Sequence, residues 1–464
     1  IVMNKPEGVE KVEMAGPGFI NFYLSKEFFK ESLREIIEKG ENFGKSDHAK
    51  GFKVMVEHTQ PNPFKSFHIG HLMNNTIGES LARVIKANGA EVKTASYHGD
   101  IGMHVAKALW KGDYALGAKA FEEDAGAKAE IQEINRKIYD KSDPEINRKY
   151  EEGRKKSLEQ FTMIYHSVGT KFDYSFFESE SAPVGKKIVE ENIGKIFDES
   201  QEAIVFKGEK VGLHTRVFLN KDKLPTYEAK EVGLAQIKKE KFDFDQSITV
   251  TANEQDAFFH VVEAAIGEVF PELKGKLKHL SHGMLKLPSG KMSSRTGNII
   301  SAEELIEEVK KKVKDNEPVA IGAIKYMILR QAIGNDIVFD IEKSVSTEGD
   351  SGVYLQYAYA RTNSLLEKAG SKGDANAPRE NVHEIEKLLY RFPEVVERAG
   401  KEYAPHYITT YLTELAGSFN NFYAHEQVIG DSPESAYRLA VVQAFNIVIK
   451  NGLNILGIPA PQRL

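Results

Sequence analysis

No cysteine occurs anywhere in the 464 residues, which excludes disulfides and thiolate zinc sites. The 14 histidines show no HExxH or comparable spacing, so neither a structural zinc nor any other resident metal is expected. Apolar runs are also short. None approaches the ~20 residues that span a bilayer, and the opening IVMNKPEGVEKVEMAG lacks the basic start and apolar centre of a signal peptide. These absences predict a cytoplasmic protein with no membrane partner. Positive charge is not in excess either. Lys+Arg 62 against Asp+Glu 68 leaves a net charge of -6, so any nucleic-acid contact must come from a local basic face. What is present is ample hydrophobic content, 41%, enough for two to four domains.

The segment from Lys53 to Thr59, KVMVEHT, is a β-branched, apolar run of strand type, followed by the breaker-rich loop QPNPFKSF. Apolar residues then fall at Leu72, Met73, Ile77, Leu81, Val84 and Ile85, with Asn88-Gly89 as a stop, which predicts a helix. A second strand is expected from Val92 to Tyr97, completing a β-loop-α-β unit of a parallel sheet. Residues 111–193 read as a charged helical insertion. Strand-like text returns at AIVFKG, HTRVFLN, QSITVTAN and HLSHGMLKL, where the interrupted sheet is expected to resume. Ser301 and Glu304 form a capping box ahead of AEELIEEVKKKVK. From about Val345 to Leu464 the pattern is amphipathic and helical, predicting an all-α C-terminal domain.

Two short strings carry chemistry. His68-Ile69-Gly70-His71 opens the first predicted helix, so its imidazoles share one face of the first turn beside unpaired backbone N–H groups. A helix N-terminus attracts phosphate, Gly70 permits close approach of a nucleotide, and two imidazoles can donate to developing phosphoryl charge. Taken alone, an HxxH pair is more often two surface histidines. Lys291-Met292-Ser293-Ser294 follows Pro288-Ser289-Gly290 in a polar loop, where a lysine can close on phosphates. By itself that string is more often a solvated loop.

In this order, the two strings resemble the HIGH and KMSKS signatures of class I aminoacyl-tRNA synthetases, the second reading KMSSR here. The resemblance implies an α/β fold: a Rossmann-like parallel sheet split by a helical insertion and followed by an all-α anticodon-binding domain. His68 and His71 would stabilise adenylate formation, and Lys291 would hold departing pyrophosphate. ATP, bound by His68, Gly70, His71, Lys291, Met292, Ser293 and Ser294, would act as a substrate with Mg²⁺.

The block VEHTQPNPFKSFHIGHLMNNTIGESLARVIKANGAEV, followed by HGDIG, narrows the resemblance to the arginyl-tRNA synthetases. It implies an arginine pocket of Glu57 and Asn62, of Tyr227 and Glu231 from LPTYEAKEVG, and of Gln255 from TANEQDAFFH. Such a pocket suits a guanidinium, whose planar fork of donors must meet carboxylates and carbonyl oxygens. Without the resemblance, Glu57 could simply end a strand, Tyr227 pack a core and Gln255 cap a helix.

DSGVYLQYAYARTNSLLEKA resembles the opening helix of the family's anticodon-binding domain, and GIPAPQRL its chain end. VEMAGPGFINFYLS resembles the last strand of the family's N-terminal tRNA-elbow domain, which implies a remnant at 1–24, a catalytic domain at 25–344 and an anticodon-binding domain at 345–464. Of Tyr354, Tyr357, Tyr359, Phe419, Phe422 and Tyr423, one or two are expected to touch RNA and the rest to be core. The implied activity is arginine–tRNA ligation by a monomer, with L-arginine and tRNA(Arg) as partners. A lysyl or glutamyl class I enzyme, or a non-catalytic tRNA-binding relative, remains the alternative.

Overall fold

The computed structural model describes residues 5–288 and 300–464. An antiparallel hairpin comes first, β1 (Val9–Ala15) and β2 (Phe19–Leu24), with Phe19 and Phe22 exposed. Helix α1 (Lys26–Lys39) follows, capped by Ser25. The expected unit is then found as β3 (Lys53–Glu57), α2 (Ile69–Ala87) and β4 (Glu91–His98).

Helices α3 (Met103–Lys111), α4 (Tyr114–Glu123), α5 (Ala125–Asp140) and α6 (Pro144–Ser167) form the insertion. They share a small core of Val105, Ala106, Ile131 and Ile138. Here the sequence expectation needs correcting. Residues 111–193 are not helical throughout, because β5 (Tyr174–Phe177) pairs in parallel with β4 and α7 (Glu178–Glu191) leads out of that strand.

A second correction concerns AIVFKG and HTRVFLN. With β6 (Asp198–Ser200), their strands β7 (Ala203–Phe206) and β8 (Arg216–Leu219) make a separate antiparallel sheet, not part of the parallel one. The parallel sheet resumes only with β9 (Gln246–Ala252) and β10 (Leu277–His282), reached through α8 (Tyr227–Lys241) and α9 (Asp256–Val269). Its order is β10-β9-β3-β4-β5. The chain winds outward from β3 in both directions, so the crevice for ligands lies at the carboxyl ends of β3 and β9.

Burial of both faces explains the apolar strands. On β3, Val54 and Val56 enter the core beneath α2 while Met55 enters the core shared with α7, α8 and α9. Beyond the sheet, β11 (Leu285–Lys286) pairs with β12 (Ile337–Val338), and α10 (Ala302–Lys312) starts at the expected Ser301–Glu304 capping box. Helices α11 (Glu317–Leu329) and α12 (Ile341–Ser344) precede the C-terminal helices α13 (Gly352–Ala369), α14 (Glu384–Leu389), α15 (Phe392–Lys401), α16 (His406–His425) and α17 (Ser435–Ile455). One hydrophobic core runs from α2 through α11 into α13, α16 and α17. At that junction the buried Lys325 ammonium donates to Val168 O at 2.6 Å and Gly457 O at 2.8 Å.

Candidate active site

His68 is the N-cap of α2. Its Nδ1 accepts from Gly70 N–H at 3.1 Å, and His71 Nδ1 accepts from His68 N–H at 3.2 Å. An imidazole nitrogen that accepts carries no proton, so each neutral ring holds its proton on Nε2 and offers that N–H as a donor. The rings stack with centroids 3.7 Å apart and planes at 22°. Burial lowers both pKa values, His71 well below the ordinary imidazole, with Lys65 adding to the effect on each. A Cβ at position 70 would stand 2.9 Å from His68 Cε1, so a side chain there would displace the ring.

Lys291, Met292, Ser293 and Ser294 lie outside the described residues. Their C-terminal flank is nevertheless fixed to the histidine motif. Ile69 N–H donates to Ile300 O at 3.2 Å, Ala302 N–H donates to Phe67 O at 2.8 Å, and His68 bridges Ser301.

The loop between β3 and α2 is strained. Thr59, Gln60 and Phe64 have φ of 78°, 44° and 67°, a region that side-chain-bearing residues rarely adopt. Two asparagines of α2 hold it. Asn74 Oδ1 accepts from Thr59 N–H at 2.9 Å while its amide donates to Val250 O on β9 at 2.8 Å, and Asn75 donates to Thr59 Oγ1 at 3.1 Å.

Acidic residues line the carboxyl edge of the sheet. Glu57, the last residue of β3, is buried, ion-paired with Lys238 and bonded by Gln60 Nε2 at 2.8 Å. Glu178, the first residue of α7, pairs with Lys230 at 2.6 Å, both side chains 7% exposed. Glu228 pairs with Arg216 at 3.0 Å. Burial is the largest influence on Lys230 and would lower its pKa, but the charge and hydrogen bond of Glu178 together with Tyr139 and Tyr227 hold the ammonium above its ordinary value. Glu231 is different. Burial, with Glu57 opposing its charge, pushes its carboxyl up to about 8.

Helix α8 brings these groups together because Tyr227, Lys230, Glu231 and Lys238 fall on one helical face. Two glycines allow it to touch α7. A Cβ at Gly185 would stand 1.8 Å from Ala229 O, and one at Gly233 would stand 2.2 Å from Ser181 O.

Asn62 joins the same cleft. Its Oδ1 accepts from Gly99 N–H at 2.9 Å, and a Cβ at Gly99 would approach both Asn62 Oδ1 and Glu178 Oε1. Tyr227 is exposed, with the Lys230 ammonium 5.1 Å from its ring centroid. Gln255 is exposed in a short turn at the carboxyl end of β9, where it precedes α9 without a side-chain cap bond. The structure thus gathers Glu57, Asn62, Tyr227 and Glu231, while Gln255 stands one strand away.

Sequence reasoning passed over Glu178, Lys230, Lys238 and Asp100. Asp100 lies within the HGDIG string and is fully buried. It accepts from Arg154 Nε at 2.8 Å, Ser179 N–H at 2.9 Å and Ser179 Oγ at 2.7 Å. Charge inside an otherwise helix-favouring pattern was the only signal for the two lysines. Among the described residues no group of three or more His, Asp or Glu side chains is arranged to hold a metal.

Comparison with known proteins places both parts of the chain in described families. The family described as "tRNA synthetases class I (R), catalytic domain" matches residues 32–162 and 114–341, and the "DALR anticodon binding domain" matches residues 355–464. The arginine–tRNA ligase of Lactococcus lactis subsp. lactis (strain IL1403) is 30% identical over 504 residues, spanning 99% of this chain and 88% of that one. Two solved structures share the fold. Thermus thermophilus arginyl-tRNA synthetase superposes with a TM-score of 0.76 at 24% identity, covering 99% of this chain and 90% of that one. The Plasmodium falciparum arginyl-tRNA synthetase gives 0.79 at 19% identity, covering 99% and 87%. With profile matches over both halves and a relative aligned along nearly its whole length, this chain belongs to the class I arginyl-tRNA synthetase family.

Proposed function

We propose that this chain is an arginine–tRNA ligase, which activates L-arginine with ATP and passes the arginyl group to the 3′-terminal ribose of tRNA(Arg). The observation that carries the reading is a pair of neutral imidazoles at a helix N-terminus, at the same sheet edge as an acid-lined cleft.

In the first step a carboxylate oxygen of arginine attacks the α-phosphorus of ATP. The new O–P bond forms as the bond to the bridging oxygen breaks, and pyrophosphate leaves with the electron pair. Charge developing on the α-phosphoryl oxygens is met by the Nε2–H groups of His68 and His71 and by the N-terminal field of α2. Lys291, with Met292, Ser293 and Ser294 next to it in sequence, would take the pyrophosphate side, and Mg²⁺ accompanying the ATP substrate would help neutralise its phosphates. In the second step a ribose hydroxyl attacks the arginyl carbonyl and releases AMP, with no protein nucleophile required.

For arginine itself, Glu231 opposes the guanidinium, Tyr227 supplies a ring face, and Asn62, Gln255 and Glu57 complete the walls. All these residues come from one chain, so a monomer suffices, and the reaction belongs in the cytoplasm with protein synthesis. In the C-terminal helices Tyr359, Phe419 and Phe422 are buried, whereas Tyr357 and Tyr423 are exposed and both lie near Arg361. The Arg361 guanidinium lies 4.7 Å and 5.6 Å from those two ring centroids, a platform on which an anticodon base can stack.

ATP–pyrophosphate exchange with arginine and with lysine, each with and without tRNA, tests the assignment. Arginine-dependent exchange is expected. Exchange with lysine alone would remove the specificity, and no exchange with any amino acid plus tRNA would leave an RNA-binding relative.

A further inference from the structure

Asn74, Gln60 and Glu57 form a chain of side-chain hydrogen bonds at the crevice between β3 and β9. Asn74, on the second turn of α2, receives Thr59 N–H on its Oδ1 at 2.9 Å, so its amide group is left to donate, to Val250 O at 2.8 Å and to Gln60 Oε1 at 3.2 Å. Gln60, its oxygen thus taken, donates its own amide to Glu57 Oε1 at 2.8 Å. Every bond in the chain runs one way and ends on a carboxylate that can only accept. The backbone is bent to allow it. Thr59 and Gln60 have φ of 78° and 44°, in a tight turn where Gln60 N–H donates to His58 O at 3.1 Å.

The other oxygen of Glu57 is paired with the Lys238 ammonium, and the two partners do different things. An ammonium is a point charge with rotatable donors, so it balances the carboxylate without setting its plane. A side-chain amide anchored at its oxygen is directional, and it does set the plane. A carboxylate has about four lone-pair sites, so one taken on each oxygen leaves one on each. A guanidinium fork needs such a pair held in one plane. Resting on the arginine reading above, we propose that Gln60 is a positioning residue: its amide fixes the Glu57 carboxylate so that both free sites meet the guanidinium. Glu57 touches arginine and Gln60 acts through it. Asn74 ties the same chain to the helix that opens with His68 and His71, so one helix sets both the imidazoles and the acid.

The test measures KM for arginine, KM for ATP and kcat of pyrophosphate exchange on the full chain with tRNA present. Q60M keeps the length of the side chain and removes both of its hydrogen bonds. KM for arginine rises roughly tenfold or more, the scale of one lost hydrogen bond to a charged group, while kcat and KM for ATP change less than about threefold. In an E57Q background, whose own rise in KM is measured first, Q60M adds less than about twofold, because the residue it acts through is already altered. Thermal melting checks folding. If Q60M does not fold, Q60N, whose amide is one methylene too short to reach both partners, is read in its place with the same expectations. An arginine KM within about twofold of native overturns the proposal. So does an equal rise in the native and E57Q backgrounds, or a loss of kcat and a rise in ATP KM as large as the arginine effect, since each makes Gln60 a support of the loop alone. A native chain that exchanges only with lysine, or with nothing, defeats instead the arginine reading on which the proposal rests.

Discussion

Arg154 and Asp100 join the helical insertion to the catalytic sheet: the guanidinium Nε on α6 donates at 2.8 Å to a carboxylate with no solvent exposure, just beyond the carboxyl end of β4. Arg154 also lies over the Phe177 ring at 4.1 Å. Asp100 additionally receives Ser179, the neighbour of Glu178, and follows Gly99, whose N–H holds Asn62. One carboxylate thereby sets two walls of the proposed arginine cleft. Removing one partner of a buried ion pair costs about 3–5 kcal/mol. D100N is expected to lose stability in that range by denaturant unfolding, and to raise the arginine KM more than it lowers kcat. R154A, at the more exposed end of the pair, should lose less stability while shifting KM in the same direction. Unchanged arginine KM in both variants would reduce this contact to a purely structural one.

The tautomers of His68 and His71 lead to a prediction about chemistry. Each ring carries its proton on Nε2 because each Nδ1 is taken by a backbone N–H. Alanine at either position should lower kcat for exchange by about 10²–10³, the usual cost of removing one donor to a developing oxyanion, with arginine KM moving only a few-fold. Because both rings act neutral, the rate should show no loss through the ordinary imidazole range near pH 6.5 that traces to these two residues. A rate profile that falls with a midpoint there in the native chain, and no longer does so in H68A, would contradict the tautomer assignment.

How much of this could be read beforehand depends on how local the cause was. The unit β3, α2 and β4 and the Ser301 cap were legible because periodicity, stop signals and capping act over a few residues. β5 was hidden because FDYSFF is short and wedged between two helices, and its pairing with β4 depends on a distant strand. AIVF and RVFL read correctly as strands, but strand preference does not name a partner sheet. The histidine motif announced itself at close spacing, whereas the lysines that pair with Glu57 and Glu178 come from α8, remote in sequence. Glu57 stood out in the sequence by its place ahead of the histidine motif, but its pairing with Lys238 did not, since only the folded chain brings them together.

The raised pKa of Glu231 has consequences of opposite sign for binding and stability. Its causes are burial first and then the charge of Glu57, with Glu178 and Glu228 adding to it and Lys238 opposing. Tyr97, which shares the cleft, is raised well above its usual value, so it remains a neutral hydroxyl. An acid whose folded pKa lies above its unfolded value contributes its full stability below the ordinary carboxylate range and loses it as pH climbs towards about 8. E231Q should therefore melt above the native chain at pH 8 and approach it near pH 4.5. Arginine needs the ionised form, so its affinity should rise with pH up to about 8, and binding at pH 7 should release a proton. Calorimetry in two buffers of different ionisation enthalpy measures that proton directly. Proton-neutral binding would remove Glu231 as the guanidinium partner, as would an E231Q variant with native arginine KM.

At the far end of the chain, the prediction turns on separating RNA contact from core packing. Arg361 Nη2 donates to Tyr357 OH at 3.1 Å and Nη1 to Asn420 Oδ1 at 3.3 Å, which fixes the guanidinium near two exposed rings. Stacking a base on an aromatic side chain is worth about 1–3 kcal/mol, so Y357A or Y423A should raise KM for tRNA(Arg) roughly fivefold to a hundredfold. R361A removes a cation as well as a stacking plane, so it should also flatten the dependence of tRNA affinity on salt. None of the three should alter arginine KM at saturating tRNA, because the platform lies in the C-terminal helices and the cleft at the carboxyl edge of the sheet. By contrast F419A, which empties a fully buried position stacked 4.2 Å from Phe445, should lower stability by about 3–5 kcal/mol. If the tyrosine and arginine variants lose stability on the same scale and leave tRNA KM unchanged, the exposed rings are part of the fold and the anticodon is read elsewhere.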